Sequence, residues 1–146
     1  MIITERQINE FIDERYRERG KRYCEDGMIQ FSEINAANIS AKCVGTHVYL
    51  VNLSFKKDQL QGDCDCPAFD KFGPCKHMAA LAYATISRQN SNYSSSLECL
   101  ERITIHQKLV SHLNKFSKTE LVDLILKISE QDEELLCMLE DEIAEH

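Results

Sequence analysis

Nothing in this 146-residue chain is apolar for long enough to span a membrane. The opening run MIITERQINEFIDERYRERG is charged from Glu5 onward and lacks the apolar core of a signal peptide. The expected setting is therefore the reducing cytoplasm, with no membrane contact. Clustered cysteines in that setting signal metal or redox chemistry rather than disulfides. Seven cysteines is also an odd number, which fits a fully paired framework poorly. The marks of catalysis are missing too: no phosphate-cradling glycine loop, no nucleophile–base pair, no paired carboxylates, no His-x-Glu. So is an excess of basic charge. Residues 1–90 carry twelve Lys and Arg against twelve Asp and Glu, whereas residues 91–146 carry five against twelve, which accounts for the whole net charge of −7. Phosphate affinity comes from Lys and Arg, so any nucleic-acid binding would rest on the first part of the chain.

What is present suffices for a globular core, since 43% of the residues are hydrophobic. The length suits one domain, or one domain with a helical appendage. From Thr4 to Gly27, Ile8, Phe11, Ile12 and Tyr16 recur at helical spacing, with Thr4 as a cap, Gly27 as a stop and Gly20 marking a kink or break. Arg15, Arg17, Arg19, Lys21 and Arg22 form the chain's only basic concentration, offset by Glu14 and Glu18. Period-two patterning follows. MIQFSEI leads into a turn at NAAN, then Ile39, Ala41 and Cys43 alternate with Ser40 and Lys42. After a hairpin turn at Gly45-Thr46, Tyr49, Val51, Leu53 and Phe55 share one face; KKDQ turns the chain again before LQGDCDC. This predicts an antiparallel meander of three or four strands, with Cys43 in its core.

The segment CDCPAFDKFGPCKHMAALAYA, beginning at Cys64, concentrates three cysteines and a histidine in fourteen residues. Cys64 and Cys66 are two apart, so on an extended strand both thiols point to one side. Pro67 stops that strand, and residues 67–74 make an excursion. Cys75 and His77 are also two apart, which in a regular helix places them on nearly opposite faces. They converge only if Cys75 sits at the cap or first turn of the helix that begins there. Free N–H groups at that point stabilise a thiolate, the form that ligates. Three sulfurs and one imidazole at these spacings predict a closed tetrahedral site for one structural Zn²⁺ per chain, held by Cys64, Cys66, Cys75 and His77. A dithiol redox site would leave Cys75 and His77 idle, and a zinc deaminase would need the missing His-x-Glu. The remaining histidines, His47, His106, His112 and His146, have no second ligand-type residue at metal spacing.

The pattern Cys-x-Cys, loop, Cys-x-His resembles the SWIM-type zinc finger, in the form found in bacterial proteins. GPCKHMAALAYA is similar to that family's Gly-x-Cys-Lys-His and small-residue helix. VGTHVYLV and ERGKRYCEDGMI, with an Arg-Gly step and Tyr-x-x-x-Gly, extend the similarity to about residues 11–88. The resemblance implies strands followed by a helix around zinc, the same four ligands, a role in binding DNA or protein partners, and no catalytic activity.

After the polar stretch SRQNSNYSSS, helical patterns resume at Leu97, Leu100, Ile103, Val110 and Leu113. Ser117 and Glu120 make a capping box before Leu121, Leu124, Ile125 and Ile128, and Asp132 caps a last helix carrying Leu135, Leu136, Leu139 and Ile143. The expected organisation is α+β. An N-terminal helix, a small antiparallel meander and the zinc-binding loop and helix occupy 1–88, a linker 89–96, and an acidic helical segment 97–146. The first functional reading is a non-catalytic zinc module acting by protein association, with homo-oligomerisation through the C-terminal helices open. The second is a DNA- or RNA-binding module whose weak contacts come from Arg15, Arg17, Arg19, Lys21 and Arg22. A zinc or thiol enzyme is a distant third. Asp63, Asp65 and Asp70 beside the zinc ligands make a poor surface for phosphate.

Overall fold

In the computed structural model, residues 2–57 and 59–144 are described; Asp58 in the KKDQ turn, His146 and the side chain of Ile143 lie outside them. The architecture is α+β: N-terminal helices, a four-stranded antiparallel meander, then helices. The chain divides into two compact units, Met1–His106 and Gln107–His146.

The helical pattern expected from Thr4 to Gly27, with a kink or break at Gly20, makes two helices, α1 (Glu5–Phe11) and α2 (Glu14–Glu25). The break falls at Ile12 and Asp13. Ile12 is extended, and the Asp13 carbonyl accepts the N–H groups of Tyr16 and Arg17, which starts a new helix. The corner lets Ile8 and Ile12 both enter the core, at 0% and 2% exposure. Gly20 does not break α2. It is buried against the helix α4 (Lys76–Gln89), where a Cβ would lie 2.4 Å from Ala79 Cβ. A residue weak in helix propensity is there because two helix backbones meet at that point.

Strands β1 (Ile29–Ile34), β2 (Asn38–Val44), β3 (Val48–Lys56) and β4 (Gln59–Cys64) pair in sequence order. The register sets Ile39 opposite Leu53, Ala41 opposite Val51, Cys43 opposite Tyr49, and Val51 opposite Cys64. One face thus carries Ile39, Ala41, Cys43, Tyr49, Val51, Leu53 and Phe55, as the alternation predicts. Helix α4 packs on this sheet, with Met78, Ala79, Ala80, Leu81, Ala82 and Ala84 fully buried. Small side chains let α4 fit between the sheet and α2. The excursion after Cys66 is not irregular throughout: Pro67 occupies the first turn of a short helix, α3 (Pro67–Phe72).

Residues 89–96 run alongside β1. The Tyr93 hydroxyl donates to the Ile29 carbonyl (2.7 Å) and accepts from the Ile29 N–H (2.9 Å), and the Ser96 N–H donates to the Gly27 carbonyl (2.9 Å). Helix α5 (Leu97–Leu113) then places Cys99 and Ile103 against Val44, Met28 and Val48 in a small second core. In the unit 107–146, α6 (Lys118–Ser129) starts with the expected capping box: the Glu120 N–H donates to Ser117 Oγ, and the Ser117 N–H to Glu120 Oε2. Asp132 Oδ1 accepts the Leu135 N–H (3.1 Å) at the start of α7 (Glu133–Ala144).

Candidate metal centre

Two stretches of chain, the end of β4 running into α3 and the start of α4, deliver two ligand atoms each. Cys64 ends β4 on its core-facing side, opposite Val51. Past it, the Asp65 N–H donates to the Leu50 carbonyl and Asp65 Oδ1 accepts the Leu50 N–H (2.9 Å), which keeps the chain extended to Cys66. Cys66 is the N-cap of α3, and Cys75, also extended, is the N-cap of α4, with His77 in the first turn. This cap position resolves the spacing problem posed by two ligands only two residues apart.

The result is a compact, buried cluster. The sulfurs of Cys64, Cys66 and Cys75 and the imidazole of His77 lie within 4.8 Å of one another, and all four residues are buried. His77 Nδ1 stands 3.7 Å from Cys64 Sγ and 3.9 Å from Cys75 Sγ. Zinc bonds of about 2.3 Å to sulfur and about 2.0 Å to nitrogen in a tetrahedron separate ligand atoms by roughly 3.5–3.8 Å. The residues therefore fit the ion: four buried Cys and His side chains are positioned to bind one zinc. Nδ1 faces the sulfurs, so it is the nitrogen that would hold the ion.

Backbone N–H groups are aimed at the sulfurs. Cys64 receives the N–H of Cys66, Cys66 that of Phe69, and Cys75 that of Met78. Hydrogen bonds from Cys64 and His77 and from the helix N–H of Met78 outweigh burial and hold the Cys75 thiol down to about 4. The shared hydrogen bond with Cys75, together with burial, pushes the Cys64 thiol up, and burial pushes Cys66 up. The thiolate, the form that ligates, is thus favoured at the Cys75 helix N-terminus, and zinc binding would release the remaining thiol protons. All the cysteines are free thiols, and Cys43 is a fully buried core residue.

An aromatic clamp that the sequence did not announce fixes the imidazole. Tyr49 stacks on His77 with ring centroids 4.5 Å apart, and Tyr23 meets it edge-on at 5.7 Å. Lys76 Nζ donates to the Tyr23 hydroxyl (2.9 Å). Tyr49 belongs to the apolar face of β3, so strand periodicity marks it as core and carries no sign of its contact with a ligand.

The basic stretch is divided by α2. Arg15, Arg19 and Arg22 are exposed and recur at i, i+4 and i+7, hence on one face. Arg17 hydrogen-bonds Asn9, and Lys21 lies over the Tyr83 ring at 5.2 Å, on the other side of the helix. His47 and His112 each pair with an aromatic ring, Tyr49 and Phe116. No described helix is long and apolar enough to cross a membrane.

No curated protein and no solved structure matches the chain. Residues 49–86, which span nearly all of β3, then β4, α3 and most of α4, match the family model of the SWIM zinc finger. That stretch contains all four converging ligands, and its family is a binding module.

Proposed function

We propose that the chain is a zinc-stabilised, non-catalytic interaction module that works by protein association in a reducing, cytoplasmic compartment. The observation that carries this reading is the character of the unit 107–146. It holds four Lys against ten Asp and Glu, and it leaves Leu109, Val122, Leu126 and Met138 between 45% and 60% exposed. Apolar side chains exposed in number beside acidic ones suit a partner protein with a basic surface. The zinc supports a structural role because four protein ligands leave no open position at which to activate water. Its contribution is to lock the β4–α4 connection so that the sheet and helix present a rigid platform.

Nucleic-acid contact is the second reading, favoured by the single exposed face of Arg15, Arg19 and Arg22. Three cations neutralise at most three phosphates, so the slope of log affinity against log salt is expected not to exceed about 3. Labelled duplex and single strand titrated at physiological salt should bind weakly and without sequence preference, and the triple variant Arg15→Ala, Arg19→Ala, Arg22→Ala should abolish even that. Tight, sequence-selective binding that survives the salt would reverse the order of the two readings. Affinity purification of the full chain from native cells, scored separately for protein and nucleic acid, tests the first reading; recovery of nucleic acid alone would overturn it.

A further inference from the structure

We infer that helix α5, which begins eleven residues beyond the matched zinc finger, is a brace of the zinc centre and that Arg102 is its positioning residue.

The chain of contacts runs from α5 to the ligand His77 through the β2–β3 turn. Arg102 Nη2 donates to the carbonyl of Gly45 (2.7 Å) and reaches that of Thr46 (3.3 Å). Cys99, one turn before it, and Ile103, the next residue, bury themselves against Val44, the last residue of β2. The turn is closed internally by the Gly45 N–H donating to the His47 carbonyl (2.8 Å). Held this way, Gly45 lies directly over the outer edge of the imidazole. A Cβ on Gly45 would sit 3.0 Å from His77 Nε2 and 3.2 Å from Tyr49 Cε2.

That outer edge is the weak side of the site. Nδ1 faces the sulfurs, so with the ion bound the proton resides on Nε2, which is buried and has no hydrogen-bond partner among the described residues. Metal-bound histidines usually anchor the second nitrogen to a carboxylate or carbonyl, which fixes the ring. Here fixation is steric: Tyr49 stacks on one face, Tyr23 abuts an edge, and the backbone of Gly45 closes the top. A steric lid holds only while the turn stays down. Beside it lies a cleft of about 240 Å³ lined by Tyr23, Asp26, Met28, Val44, Gly45 and Arg102, into which a released turn can move. Arg102 prevents this by satisfying two turn carbonyls with one guanidinium.

The test uses the full-length zinc-loaded chain and follows transfer of zinc to a chromogenic chelator. Arg102→Ala is expected to release zinc about tenfold faster, within the range for loss of an outer-sphere partner. Arg102→Lys, able to reach one carbonyl, should restore most of the wild-type rate. Lys108→Ala, which removes a charge further along α5, should leave the rate unchanged. NMR supplies a readout that general destabilisation would not single out: solvent exchange of the His77 Nε2 proton should accelerate about tenfold in Arg102→Ala while amides in the β1–β2 ladder keep their protection. Wild-type release from Arg102→Ala, equal acceleration in Lys108→Ala, or an unchanged ring-proton exchange rate would each overturn the inference.

Discussion

Cys75→Ser is expected to abolish stoichiometric zinc binding and to leave residues 60–80 without fixed structure. Cys75 has two roles: it is the ligand whose thiolate form its hydrogen bonds favour, and it is the cap from which α4 starts. A serine hydroxyl caps a helix well but is a poor zinc ligand, so the substitution separates the roles. Structural zinc contributes about 10–16 kcal/mol of binding free energy in small zinc modules, comparable with the whole stability of a domain. Loss of most of that leaves Cys64, Cys66 and His77 as buried polar groups with no ion to satisfy them. Zinc content near zero, with amide dispersion lost over 60–80 but helicity kept elsewhere, is the expected outcome. A Cys75→Ser protein that retains full zinc would refute the ligand assignment.

Gly20→Ala is expected to destabilise the zinc-loaded protein by about 3 kcal/mol. Two effects oppose each other here. Helix propensity alone favours alanine over glycine by about 1 kcal/mol. Packing disfavours it, because the new methyl would lie 2.4 Å from Ala79 Cβ, 2.8 Å from the Ala80 nitrogen and 2.9 Å from the Lys76 carbonyl. Two of these three neighbours are backbone atoms, which no rotamer change can move. Helix α4 must therefore shift away from α2, carrying His77 with it. A urea-denaturation midpoint below wild type, partly restored by adding Ala79→Gly, is the signature of helix contact. A midpoint above wild type would show that propensity decides and that α2 and α4 do not touch there.

The contrast between Gly20 and Cys75 shows what a sequence of this kind reveals. The ligand set was legible because coordination chemistry restricts residue types and spacing together: two thiols on a strand, then a thiol and an imidazole that meet only at a helix start. The inward faces of β2 and β3 were legible because a period of two leaves no second arrangement for Ile39, Ala41, Cys43, Val51 and Leu53. The Ser117–Glu120 capping box is a local signal and was found as expected. Gly20 was misread as a break because its cause, Ala79, lies far along the chain, and the real break at Ile12–Asp13 answers to burial of Ile8 and Ile12. Helix α3 hid among turn-forming residues. The tyrosine clamp on His77 and the reach of Arg102 to Gly45 are likewise contacts between distant segments, which residue type alone does not disclose.

A closed zinc site built from three sulfurs and one nitrogen underlies the proposed structural role, and X-ray absorption at the zinc edge of the purified chain tests it most directly. The predicted result is one zinc per chain with three sulfur neighbours and one nitrogen neighbour from an imidazole, and no exchangeable oxygen or anion. A shell containing a bound water, or fewer than three sulfurs, would contradict the structural role and with it the reading of this chain as a non-catalytic interaction module.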